Sequence, residues 1–361
     1  MNNNIVLYVN DKAYTGWFDI QLTHSIDSIA SGFSLKAINS VYNNEPILPI
    51  VTGLPCVITY KGKTVLTGYI DDTTVELNDN SPIRSVNGRS KTADLVDCSI
   101  ESFSDFKNAT LESIISSICK PFGISLTFDV TNAGDCFTEF KIQPGESAFE
   151  AMDRACKLRG FLLSSSNGGN VIVSKIGSKT AAGQIIEGEN LIDASFSTSN
   201  KERFSKYIVK GQDNNNDAIF GKKATGISST VSDPLITRYR PIVIVAESIV
   251  SNATAKRRAE WECSVRRSKS IAINCKVPSW GINNDIWETN ASVNFYSKSL
   301  GITTNNNYII SNVNRHYNDT DGETTSLTLN PEGSFTPETQ EMLNKKSSKD
   351  GKNPFDTLKK K

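Results

Sequence analysis

The strongest constraint on this chain is a hydrophobic period of two that is twice interrupted by a period of 3.6. Over the first hundred residues apolar side chains recur at every second position: Ile5, Leu7 and Val9, then Phe33, Leu35 and Ala37. Such alternation puts one residue in two on a buried face, as in a short strand. Residues 57–60, the turn Lys61-Gly62-Lys63 and residues 64–70 read as a hairpin, because glycine supplies the positive φ that a tight turn requires. Many short strands at this spacing predict a small barrel or sandwich.

From about Asn108 the period becomes helical. Leu111, Ile114, Ile115, Ile118 and Cys119 share one face, Asn108 or Thr110 can cap the start, and Pro121 with Gly123 ends it. A strand over 124–130 follows, and a second helix over about 147–159 places Phe149, Met152 and Cys156 together and stops at Gly160. A hairpin over 161–176 turns at Ser166-Asn167-Gly168-Gly169-Asn170. The small-residue stretch 179–190 reads as a linker. Period two then returns, interrupted by polar, aperiodic residues at 213–217 and 221–232, which predict a mobile loop, and by a helix over 247–267 with Ala255, Ala259 and Cys263 in one stripe.

The expected fold class is α+β, mainly β. Its divisions are a first β-barrel domain at 1–100, an α+β domain at 105–178, the linker 179–190 and a second β-barrel domain at 191–335 carrying the helix 247–267. A charged flexible tail at 336–361 ends the chain and could order on a partner. A length of 361 residues is enough for each of these domains to bury its own core.

Charge and composition exclude several functions. Lys plus Arg and Asp plus Glu both number 39, so the chain lacks the basic excess with which proteins grip phosphate backbones. No apolar run approaches the ~20 residues of a membrane span, and Met1-Asn2-Asn3-Asn4 opens no secretory signal. Membrane insertion is therefore not expected, and synthesis in a cytoplasm is. Seven scattered cysteines without CxxC spacing predict reduced core residues, with no disulfide framework or zinc site.

Catalytic residue sets are missing from the sequence. His24 and His316 are the only imidazoles and both lie in strand patterns, whereas a triad needs a base beside a nucleophile. Neither GxSxG nor HExxH occurs. Gly177-Ser178-Lys179-Thr180-Ala181-Ala182-Gly183 departs from a phosphate loop in spacing and in lysine position. Asp71 and Asp72 point to opposite faces if they lie in a strand, so they read as solvated acids near a turn. Arg257, Arg258, Arg266 and Arg267 share their helix with Glu247, Glu260 and Glu262, which predicts an ion-paired face. No catalytic, metal or cofactor site is assigned.

One ordered set of motifs does point to a family. Gly68-Tyr69-Ile70-Asp71 is followed by a strand ending Val86-Asn87-Gly88-Arg89-Ser90, and then by Lys91-Thr92-Ala93-Asp94-Leu95-Val96-Asp97-Cys98-Ser99. This run resembles the G-x-I-D and V-x-G-R-[DS]-x-x-x-D-L-[IV]-D-C-S pattern of baseplate hub proteins of Mu-like contractile phages, a family related to the N-terminal regions of type VI secretion spikes. The order of later pieces agrees: Ile142-Gln143-Pro144-Gly145-Glu146-Ser147 leading into a helix, Val277-Pro278-Ser279-Trp280, Ile286-Trp287-Glu288-Thr289-Asn290 and Asn330-Pro331-Glu332. The resemblance covers about 5–335.

It implies a homotrimeric, ring-shaped adaptor in which each subunit supplies two barrels, joining tail tube proteins to a central spike amid other baseplate proteins, with DNA passing through unbound. Residues Gly68, Asp71, Gly88, Arg89, Asp94, Leu95 and Asp97 carry the motif and are expected to serve turn geometry and buried hydrogen bonding, not chemistry. Secretion spikes continue into an OB domain and a needle; here the sequence stops soon after the second β region, so a separate spike protein is expected. Two readings compete. Trp17, Trp280 and Trp287, with abundant Asn and Ser, could line a carbohydrate or receptor site, or the chain could be a cell-wall hydrolase lacking a recognisable acid/base set.

Overall fold

The structure, a computed structural model, describes residues 4–336 apart from 39–40, 43–44, 47–49, 78–81, 102–104, 132, 135, 182, 212–226, 247–251, 283–284 and 304–306. The loop expected at 213–217 and the tail beyond Thr336 lie outside the described residues.

The chain is mainly β, with its helices gathered in two places. Alternation works as the sequence predicts. In Ser28–Ile38, residues Ile29, Ser31, Phe33, Leu35 and Ala37 are buried in turn while their neighbours face outward. The predicted hairpin forms between Pro55–Tyr60 and Lys63–Leu77, with Lys61 and Gly62 both at positive φ, the conformation that matches the twist of the flanking strands.

Pairing, in contrast, does not follow from the period. Two separate barrels are the sequence expectation; the described strands instead form one ladder through both β regions. Its order is Asp193–Thr198, Ile271–Pro278, Gly322–Pro331, Asn307–Asn318, Asp19–Ser25, Ser28–Ile38, Pro82–Ser90, Lys63–Leu77, Pro55–Tyr60, Ile5–Val9 and Lys12–Tyr14. The regions join where Asp19–Ser25 runs antiparallel to Asn307–Asn318, from Asp19 opposite Asn318 to Ser25 opposite Asn312. Among the described residues this ladder closes into no barrel. A period-two pattern tells which face of a strand is buried but not which strand lies beside it.

Two stretches read as irregular also pair. Within the expected linker, Lys179–Thr180 and Ile185–Ile186 add in parallel to Ala291–Tyr296. Ile227–Ser232, expected in the mobile loop, is a strand beside Lys206–Gly211. Both are too short or too Ser-rich to show a period, and a partner distant in sequence supplies their hydrogen bonds.

The helical unit between the β regions is set by local signals. It holds α1 (Ala93–Asp97), α2 (Leu111–Cys119) and α3 (Ala148–Arg159). The Thr110 hydroxyl accepts from the Ser113 N–H at 3.2 Å, and Ser147 and Glu150 form a reciprocal capping box at the start of α3. Gly160, at φ 78°, ends that helix in the left-handed region. Ile114, Ile115, Met152 and Cys156 pack with Val171 and Val173 of the following hairpin in one core. A second helical element, α4 (Asn252–Lys269), lies on the small sheet Ile227–Ser232, Lys206–Gly211 and Pro241–Ala246, burying Ala255, Ala259 and Cys263 against Tyr207 and Val209. The predicted start at 247 falls outside the described residues. Five cysteines are buried as expected; Cys98 and Cys136 are exposed instead.

Candidate functional site

The motif residues converge where the first β region passes into the helical unit. Gly68 stands opposite Ser90, and Gly88 opposite Ile70. A Cβ on Gly68 would lie 1.8 Å from the Arg89 carbonyl oxygen, and one on Gly88 would lie 2.1 Å from that of Tyr69 and 2.6 Å from the Phe33 ring. Both glycines sit inside strands and not in turns, which corrects the expected turn geometry: their function is close approach of two backbones.

A β-bulge falls between Ile70 and Asp72. By breaking the alternation it turns Asp71 toward Arg89, whose Nε donates to Asp71 Oδ2 at 2.7 Å. The other end of the guanidinium grips Asp97, the last residue of α1, with Nη1 to Oδ1 at 3.2 Å and Nη2 to Oδ2 at 2.7 Å. This two-pronged bond is the geometry for which arginine is suited. Asp97 first, and then Asp71, hold the Arg89 guanidinium above its ordinary range, while Arg89 lowers the Asp97 carboxyl. The cluster is partly exposed, with Arg89 at 41% and Asp97 at 49%, so its hydrogen bonding is not the buried kind expected.

Buried bonds lie one step away. The Thr92 hydroxyl donates to the Ile29 carbonyl at 2.6 Å, and Ser90 Oγ sits 2.8 Å from Thr92 Oγ1 while accepting from the Ser31 N–H. Leu95 is fully buried, and Asp94 is exposed in the first turn of α1, where a carboxylate favours the helix dipole. The run then clamps the helical unit: the Cys98 carbonyl accepts from the Ala148 N–H at 3.0 Å, and Ser99 bridges to Ser147.

A second joint lies between the two β regions. Trp280 belongs to the core of the first region, its ring 4.9 Å from that of Tyr60 and its Nε1–H donating to the His316 carbonyl. Tyr60 in turn donates to Glu323 at 2.6 Å. Trp17, Trp280 and Trp287 are each no more than 2% exposed. A stacking site for sugars needs open aromatic faces, so the three tryptophans expected to line a carbohydrate site are interior residues instead; the physical reason is that they fill the cores of the two β regions.

Both imidazoles are engaged by charged neighbours. His316 Nε2 lies 3.2 Å from Asp19 Oδ1, and His24 Nδ1 lies 3.1 Å from Arg315 Nη1. Arginine only donates, so Nδ1 of His24 accepts and the ring is neutral. Burial, and then the Arg315 charge, push His24 down to about 3 against a hydrogen bond with the Val65 backbone. Unfolded, the same ring takes its proton near 6.5, so between these values the unfolded chain binds more protons. The stabilising share of His24 is thus complete above 6.5 and is lost as pH falls toward 3. Lowering pH from 7 to 5 is expected to remove about 2 kcal/mol of stability, read by urea denaturation. His24→Gln should lose less over that interval; an equal loss in both proteins would refute the assignment.

On α4, Glu262 binds Arg258 and Arg266 at 2.9 Å each, and Arg267 binds Asp233. Among the described residues no group of three His, Cys, Asp or Glu could hold a metal ion, and no helix is long and apolar enough to cross a membrane.

Backbones crossing on glycine, a guanidinium tying a sheet to a helix, and aromatic rings shared between regions are features of a scaffold whose parts must hold a fixed relation. Comparison with known proteins identifies which scaffold. Residues 4–90 match the family description "Mu phage baseplate assembly protein GpP-like, N-terminal", and residues 92–175 match "Baseplate hub protein gp44-like, second domain". The chain is 32% identical over 355 residues to the baseplate hub protein gp44 of Escherichia phage Mu, covering 96% of this chain and 93% of that protein. Among solved structures it resembles the 43 kDa tail protein of prophage MuSo2 from Shewanella oneidensis, with a TM-score of 0.80, 32% identity and coverage of 92% and 99%. A type VI secretion component of E. coli, described as similar to T4 tail proteins gp27 and gp5, shares the fold at a TM-score of 0.55, 8% identity and coverage of 92% and 78%. The chain belongs to the Mu-type phage baseplate hub family. It is a structural hub protein of the tail baseplate.

Proposed function

We propose that three copies of this chain form a ring joining the tail tube to a separate central spike, and that the ring is a mechanical adaptor without catalytic activity. The observation that carries the reading is the open ladder. Its two ends, Asp193–Thr198 and Lys12–Tyr14, are different surfaces, and contacts between unlike surfaces generate rings when the rotation closes. An unpaired strand edge is a template for a partner strand. Phe196 on the first edge and Ile192 beside it are exposed, as is Tyr8 near the other end. Domain divisions at 1–100, 105–178, 179–190, 191–335 and 336–361 go with this reading: two β regions in each of three subunits make six similar units around an axis. In this reading each β region closes as a barrel only in the assembled ring. The exposed Val243 and Val245 on Pro241–Ala246, at an edge of the small sheet, offer a separate surface to other baseplate proteins.

Equal numbers of acidic and basic residues suit a channel through which DNA passes without being gripped. The mass in solution tests the proposal: a particle of three 39.5 kDa chains is expected, and Phe196→Asp should shift it toward the monomer. A wild-type chain that stays monomeric even when mixed with tube and spike proteins would overturn it.

A further inference from the structure

A groove of about 480 Å³ lies between the helical unit and α4. Phe149 of α3, with Phe161 and Leu163 just beyond that helix, lines it from the helical unit, and Trp261 and Val265 line it from α4. Phe149 and Trp261 are half-buried, so apolar surface stays open to an occupant. Charges around it cancel: Lys157 pairs with Asp153 at 2.5 Å, and the exposed Asp27 and Lys269 add one of each sign. Net charge therefore selects nothing here, and apolar side chains must.

The chain itself leads into this groove. Ser334, Phe335 and Thr336 border it, and the Trp261 Nε1–H donates to the Thr336 carbonyl at 2.9 Å. Residues 337–361 thus start from a point fastened to the groove wall. Within them Met342 and Leu343 are the only two large apolar residues adjacent in sequence, and Phe355 and Leu358 lie much farther on. Met342 is the sixth residue after Thr336, and six residues span at most about 20 Å. So short a tether holds the pair beside the groove at an effective concentration on the order of millimolar. Modest contacts then suffice. A methionine thioether suits an aromatic ring such as that of Trp261, and Glu338, Glu341 and Lys345 bring both signs of charge to a rim that also carries both.

We propose that residues 337–345 of the same chain fill this groove, with Met342 and Leu343 seated between the helical unit and α4. Docked there, the segment is a strap: it fixes α4 and the small sheet beneath it against the helical unit, whose only other link to them is through the long ladder and its connections.

The test uses acrylamide quenching of tryptophan fluorescence in the full-length protein. Trp17, Trp280 and Trp287 are each no more than 2% exposed, so of the four tryptophans Trp261 is the one that quencher reaches. Weak quenching is expected in the wild type. Met342→Asp combined with Leu343→Asp should lose that protection, whereas Phe355→Asp combined with Leu358→Asp should keep it. Trp261→Phe should erase the difference between the tail variants. Hydrogen exchange gives a second reading: residues 337–345 should exchange more slowly than 346–361, and the Met342 and Leu343 substitutions should remove the contrast. Equal quenching of the wild type and the Met342 and Leu343 variant, or uniform exchange over 337–361, overturns the proposal and leaves the groove to another protein. Refolding that variant with an excess of the Trp261→Phe chain, whose tail is intact, should not restore protection; restoration would place the tail on a second copy and overturn the proposal as well.

Discussion

Gly68→Ala is expected to prevent the first β region from forming. The added methyl would lie 1.8 Å from the Arg89 carbonyl oxygen, 2.7 Å from its carbon and 2.8 Å from Ser90 Cα. All three are backbone atoms, so no rotamer change relieves the overlap and the strands Lys63–Leu77 and Pro82–Ser90 must separate. Separation would move Arg89 away from Asp71 and Asp97 and release the clamp on the helical unit. A loss of more than about 4 kcal/mol follows, beyond the usual range of single substitutions. Soluble yield and urea denaturation read it. Gly32→Ala is the control: in the neighbouring strand a Cβ meets nothing within 4 Å, so stability there should be unchanged or slightly raised. Equal stability of the two variants would show that the crossing of these strands yields more easily than the geometry implies.

Asp233→Ala should cost about 3–5 kcal/mol. This carboxylate is 1% exposed. Its Oδ2 accepts from Arg203 Nε at 3.1 Å and Nη2 at 2.7 Å, and its Oδ1 accepts from Arg267 Nη2 and the Leu235 N–H. Burial works against its ionisation, but the bonds from Arg267 and Arg203 outweigh it and hold the carboxyl below its ordinary range. Removal leaves both arginines, at 11% and 16% exposure, without that partner and frees α4 from the small sheet. A surface pair gives the contrast: Lys63 and Asp285 are 53% and 71% exposed, and Asp285→Ala should change stability by less than about 1 kcal/mol. The urea midpoints of the two variants decide between them; similar midpoints would mean that water already reaches Asp233.

Features that depend on neighbours in sequence are legible in the chain order alone. The faces of α2 and α3, the caps at Thr110 and Ser147, the stop at Gly160 and the Lys61-Gly62 turn all follow from residues within one or two turns of each other. The motif from Gly68 to Ser99 is legible too, because its order survives in the chain itself. Its physical meaning is not. Turn geometry is the natural expectation for Gly68 and Gly88, yet each is a point where another strand crosses, and nothing in a linear sequence marks the strand that will lie opposite. Likewise, Asp71 reads as a solvated acid until the bulge beside Ile70 aims it at Arg89.

The sequence by itself therefore determined the local elements, the mainly β composition and the family pattern. Only the tertiary structure decided that the two β regions share a ladder through Asp19–Ser25 and Asn307–Asn318, that Trp280 fills the core of the other region, and that Arg315 is buried without an acid. The joining strands, and the Tyr60 and Trp280 rings, lie more than two hundred residues apart along the chain. Burying apolar faces rewards any strand of suitable pattern, and the choice among them is made by which surfaces fit once the chain has folded.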